Sequence, residues 1–168
     1  MAAHPLIGEV LKKASVAWVS VGDRPATALW CLAVDGVLHV VTGPGEQSAP
    51  GLADASAARV TLRGDHGGAV VAWDATVSRL SPVDERWAEI ATQLAAKRLN
   101  APGSAAELVA RWSAECTVSR LTPAGTTPAT GTALPAGSQA APPRESPAAR
   151  PARKPFRLHR VRGRRPST

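Results

Sequence analysis

The spacing of apolar residues changes twice along this chain, and the two changes bound what it can fold into. From Ser15 to Leu80 the apolar residues come in short β-type runs. From Ser81 to Glu115 they recur at three and four positions, and beyond Gly125 they have no period and few members. Ala58, Val60 and Leu62 alternate with Arg59, Thr61 and Arg63, which predicts a strand with one buried and one polar face. Asp35-Gly36 lies between two apolar runs. A two-residue hairpin turn needs positive φ, which these residue types tolerate, so Val37–Thr42 should pair antiparallel with the preceding run, Ala26–Val34. Ser15–Val21, Ala58–Gly64, Ala69–Leu80 and Glu115–Thr122 complete six expected strands, with a short helix or turn over Pro50–Ser56.

Ser81-Pro82-Val83-Asp84 carries an N-cap residue, a proline at the first helical position and an acid three residues on. Trp87, Ile90, Ala91 and Leu94 follow at helical spacing, and Ser104-Ala105-Ala106-Glu107 opens a second, shorter helix toward Trp112. The expected fold is therefore mainly β with two late helices, a small antiparallel barrel of six strands rather than a doubly wound sheet.

The net charge of +7 on 168 residues is confined to one end. Residues 1–124 hold 11 Lys and Arg against 12 Asp and Glu, whereas residues 125–168 hold nine basic residues and only Glu145. The second segment, rich in Ala, Pro and Arg, has too few large apolar side chains to offset the entropy of ordering its backbone. It reads as a disordered basic tail (125–168) on a folded domain (1–124). Nucleic acid is a possible partner only through that tail, whose Arg150–Arg165 block lacks the aromatic interleaving of a dedicated binding segment. No apolar stretch approaches the roughly 18 residues that cross a bilayer, and two cysteines with four scattered histidines support neither a disulfide framework nor a metal site. The expectation is a cytoplasmic protein without a membrane span or a metal.

No grouping of side chains forms a defensible nucleophile or acid–base pair, so the catalytic residues are unknown. If the chain is an enzyme, a cofactor supplies the reactivity. The most site-like run is Thr42-Gly43-Pro44-Gly45-Glu46-Gln47-Ser48, where glycines let backbone approach a ligand and Gln47 and Ser48 offer neutral hydrogen bonds. Arg59, Thr61 and Arg63 could clamp a phosphate from one sheet face or simply solubilise it. Of five tryptophans, Trp18, Trp73 and Trp87 read as core fillers. Trp30 stands in the strand whose hairpin partner leads into the glycine-rich run, where its ring could rest on a planar ligand.

Several stretches taken in order resemble the flavin split-barrel family related to pyridoxamine 5′-phosphate oxidase. These are residues 14–21, Arg24-Pro25 with the Trp30 strand, Leu38 to Gly43, Gly51-Leu52-Ala53-Asp54 before Arg59-Val60-Thr61-Leu62, and Ala96 to Asn100. The resemblance spans about residues 6–123. It implies a six-stranded split β-barrel, a homodimer, and FMN, or alternatively a deazaflavin, between the subunits, exchanging a hydride with a small-molecule substrate. By position, Thr27, Ala28, Leu29 and Trp30 would border the flavin ring, and Thr42, Gly43, Gln47 and Ser48 would hold the ribityl-phosphate end. Relatives often carry a lysine just after this turn, whereas here Ser48 is followed by Ala49 and Pro50. The missing cation would weaken phosphate binding by about 1–3 kcal/mol unless Arg63 or a partner residue compensates. The alternatives are a non-catalytic barrel that binds another planar ligand such as haem, or a dimer platform for the basic tail.

Overall fold

A computed structural model describes residues 4–64, 68–125, 127–142 and 145–146. Among these residues are eight strands: β1 (Val16–Ser20), β2 (Thr27–Trp30), β3 (Leu32–Val34), β4 (Val37–Thr42), β5 (Ala57–Arg63), β6 (Ala69–Leu80), β7 (Thr117–Pro123) and β8 (Ala129–Thr130). Three α-helices join them among the same residues: α1 (Pro5–Leu11), α2 (Trp87–Lys97) and α3 (Ala105–Glu115). The named strands pair antiparallel, in the order β2-β1-β5-β6-β7-β4-β3 with β8 added on β6.

That order itself demands a barrel. The two ends of the sheet, β2 and β3, are consecutive in the chain with only Cys31 between them, so the sheet curls until its edges meet. The expected second strand, Ala26–Val34, is thus two strands that change partner at Cys31. Its first half pairs with β1 and its second half with β4 through the Asp35-Gly36 turn, where φ is +50° and +75°. This division and the short β8 account for eight strands where six were expected.

Two cores result. Inside the barrel, Ala17, Val19, Leu29, Leu38, Val40, Val60, Leu62, Val71, Trp73 and Leu121 pack together, and Ile7 and Leu11 of α1 join them. Outside it, α2 and α3 lay Trp87, Ile90, Leu94, Leu108 and Trp112 on Val41, Leu80 and Val118. Each such fully buried large side chain contributes about 1.5–3 kcal/mol of transfer free energy. The Ser104–Glu107 capping box forms as expected. The Ser81–Asp84 signature does not open α2: Asp84 Oδ2 accepts from the Ser81 amide at 2.7 Å and closes a separate turn, so the helix starts at Trp87. With seven residues, α1 is too short to show a period in the sequence, and His4 caps it through Nδ1.

The chain expected to leave the fold at Gly125 stays on it to Pro142. Pro128 is buried, β8 pairs with Val71 and Ala72 of β6, and Ala26 makes backbone hydrogen bonds to Gln139 and Ala141 at 2.8 and 2.7 Å. The Arg150–Arg165 block lies outside the described residues, as does His66. Truncation after Pro123 should lower the melting temperature by about 5 °C, from a few backbone bonds worth about 1 kcal/mol together. Truncation after Pro142 should leave it unchanged. Equal melting temperatures for the two truncations, read by circular dichroism, would show that this segment adds nothing.

Candidate cofactor cleft

The outer face of β2, β1 and β5 assembles a flat, cationic surface by register alone. Ala28, Trp18 and Thr61 lie side by side across the three strands, and Ser20 lies beside Arg59 in the next row. Arg63, further along β5, places its guanidinium 4.4 Å from the centroid of the Trp18 ring, a stacked cation–π pair. Arg59 pairs with Asp74 at 2.9 Å, an exposed bridge of small energetic weight. Residues 135–139 of the C-terminal segment pass opposite this face, and Arg63 Nη2 donates to the Ser138 carbonyl. Between them is a cleft of about 340 Å³ lined by Trp18, Ser20, Arg24, Arg59, Thr61 and Arg63. Arg24 is shared with an adjoining cleft of about 320 Å³ that reaches Thr27, Ala49 and Pro50.

The site residues expected from the sequence divide between this face and a different environment. Arg63 lines this cleft, Ala28 stands beside Trp18 on the same face, and Thr27, opposite Val19, lines the adjoining cleft. Leu29 is fully buried inside the barrel, so its side chain cannot border a ring. Trp30 packs against Trp112, ring centroids 6.2 Å apart, with the Arg98 guanidinium 5.8 Å from its own centroid. Both polar atoms of the Gln47 amide are spent on the Trp30 backbone: Oε1 accepts from its N–H at 2.7 Å and Nε2 donates to its carbonyl at 2.9 Å. Thr42 is buried at the end of β4. At Gly43, φ is +140° and a Cβ would meet the Cys116 Cα at 3.0 Å, so glycine serves backbone packing there. Ser48 is exposed, one residue before Ala49.

Glu46 holds this turn in place, a role its sequence context does not reveal. Its carboxylate, 1% exposed, accepts from Arg98 at 2.9 Å, Arg111 at 2.6 Å and Trp112 Nε1 at 3.0 Å. Burial acts to raise its pKa, but the hydrogen bonds from Trp112, Arg111 and Arg98 outweigh it and hold the carboxyl below its ordinary range. Cys31 and Cys116 are buried free thiols, and burial pushes Cys31 up to about 12, so it is inert at neutral pH.

Trp18, read from the sequence as a core filler, is instead the floor of the cleft. Its parity showed as much: Ala17 and Val19 are the inward pair of β1, and Trp18 shares the outward face with polar Ser20. Arg24 entered the sequence reading only within the Arg24-Pro25 stretch of the family resemblance, with no site role. In the structure its Nε lies 3.6 Å from where a Gly51 Cβ would stand, beside the Ala49-Pro50 turn. Arg24 thus places a guanidinium beside this turn from another loop.

No family profile and no curated protein matches this chain. Solved structures do. HutZ, the haem storage protein of Vibrio cholerae, aligns with a TM-score of 0.55 at 14% identity over 77% of this chain and 95% of its own. The conserved hypothetical protein Rv2991 of Mycobacterium tuberculosis aligns with a TM-score of 0.55 at 14% identity, over 80% and 90%. A candidate pyridoxamine 5′-phosphate oxidase of Listeria innocua gives 0.50 at 16%, over 71% and 92%. The chain therefore has the split-barrel fold of the pyridoxamine 5′-phosphate oxidase-like proteins, as the sequence resemblance implied. Among the described residues no helix is long and apolar enough to cross a membrane, and no cluster of potential metal ligands occurs.

Proposed function

We propose that the chain is a flavin-dependent oxidoreductase that holds FMN in the cleft between Trp18, Arg24 and Arg63. The observation that carries this reading is the pairing, on one sheet face, of a flat ring with the guanidinium groups of Arg59 and Arg63 and two hydroxyls, with Arg24 reaching the same cleft from the β1–β2 loop. A planar, phosphate-bearing cofactor asks for that donor set: Arg24 and Arg59 for the dianion, Ser20 and Thr61 for neutral hydrogen bonds, Trp18 for the ring. The bound flavin would supply the hydride chemistry, while the protein orients it and limits water. With this reading go a homodimer, a small-molecule substrate and a cytoplasmic location. Val16 and Val70, each 48% exposed on the face that carries Trp18, are the apolar surface a second copy would cover.

The test is a fluorescence titration of the full-length chain with FMN and with riboflavin, which lacks the phosphate. FMN should bind more tightly, and Arg24→Gln should weaken FMN by about 10–100-fold while changing riboflavin little, as loss of a charged hydrogen bond requires. Trp18→Ala should weaken both. Equal affinity for the two ligands, or none for either, would refute the assignment.

A further inference from the structure

A second polar cluster lies on the other half of the sheet and shares no lining residue with the cofactor cleft. His39 is directly opposite Arg120 in the β4–β7 ladder, and Arg120 is opposite Ser78 in the β7–β6 ladder, so the three side chains stand in one row on one face. Arg120 Nε donates to Ser78 Oγ at 3.1 Å, and no carboxylate pairs with its guanidinium among the described residues. His39 is only 4% exposed, and its Nδ1 is buried without a hydrogen-bond partner among those residues. Protein interiors rarely leave a buried ring nitrogen unmatched. The row opens on a cleft of about 270 Å³, closed by Arg86 and Ile90 of the α2 region and by Val37, Leu80 and Thr122 of the sheet. Arg86 is already engaged, with Asp35 at 2.7 Å and Glu89 at 3.3 Å.

We propose that this cleft binds a small organic carboxylate, with the Arg120 guanidinium on the carboxylate, His39 and Ser78 beside it, and a short alkyl tail against Val37, Leu80 and Ile90. The chemistry selects this class. One guanidinium without a carboxylate partner matches a single negative charge, and its planar fork fits a carboxylate edge. The apolar walls match a hydrocarbon tail. The cleft, at about 270 Å³, lies just below the roughly 300–1,000 Å³ of sites for drug-sized ligands and suits a small occupant. The site stands whether or not a flavin occupies the cleft around Trp18.

The experiment is a proton NMR titration of the full-length protein with butyrate, butan-1-ol and inorganic phosphate, following the ring C–H signals of the four histidines, with His39 assigned by its loss in His39→Gln. Butyrate should shift the His39 signals saturably, butan-1-ol should not, and phosphate should bind more weakly than butyrate. Arg120→Gln should weaken butyrate by about tenfold or more. An unmoved His39 signal, an equal response to butan-1-ol, a preference for phosphate or an unchanged affinity in Arg120→Gln would each overturn the proposal. The comparison of butyrate with butan-1-ol on the unmodified chain decides the matter even if the variant fails to fold.

Discussion

Acidification through the histidine range should destabilise this protein by on the order of 3 kcal/mol through one side chain, because His39 resists protonation until about pH 4 in the folded state. Burial is the main cause; the Leu32 and Val37 backbone oppose it by favouring the charged ring, and the positive charges of Arg120 and Arg86 add to the lowering. The unfolded chain takes up this proton near the ordinary value of 6.5, whereas the folded chain does so only near 4. Stability from His39 is therefore fully present above the higher value and is lost as the pH falls through the window between them. Glu46 and Glu107, held below the ordinary 4.5, add their own losses only at lower pH, which keeps the two effects apart. Urea unfolding at a series of pH values reads the slope directly. His39→Gln should flatten it between about pH 6.5 and 4.5, and a variant with the wild-type slope would show that the imidazole is not responsible.

The second large effect should come from Glu46→Ala. The carboxylate is the only acid in contact with Arg98 and Arg111 among the described residues, whose side chains are 24% and 27% exposed, and it also takes the Trp112 indole N–H. Removing it leaves two guanidinium groups facing each other and a fully buried indole without a partner. A broken buried pair costs about 3–5 kcal/mol, and the partial exposure of the arginines moves the expectation to the lower end, about 3 kcal/mol. Glu46→Gln keeps an acceptor but not the charge, and should cost less. A loss under about 1 kcal/mol in Glu46→Ala, by chemical unfolding, would mean that solvent already screens the cluster.

The same two residues show where reading residues in order stops. His39 stands in mid-strand, and nothing local says that Arg120, some eighty residues on, will be its neighbour across the ladder. Glu46 looked like a polar residue in a glycine-rich turn, and its three partners arrive on α2 and α3. Gln47 was read as a ligand for phosphate, but its amide is matched to the Trp30 backbone, a use that only the folded chain displays. The C-terminal segment was judged by its large apolar side chains, whereas what seats residues 129–141 is backbone hydrogen bonding to β6 and to Ala26, which composition does not register.

Local chemistry was enough for the elements themselves. Alternation in Ala57–Arg63, the Asp35-Gly36 turn and the Ser104–Glu107 cap act over a few residues, so each is written in a few residues and each forms. Curling the sheet until Cys31 joins its two edges is a non-local outcome, decided by which strands can pair while both faces of β4 are covered. The clefts follow from that closure, because rows such as Ala28–Trp18–Thr61 and His39–Arg120–Ser78 exist only once distant strands share a register.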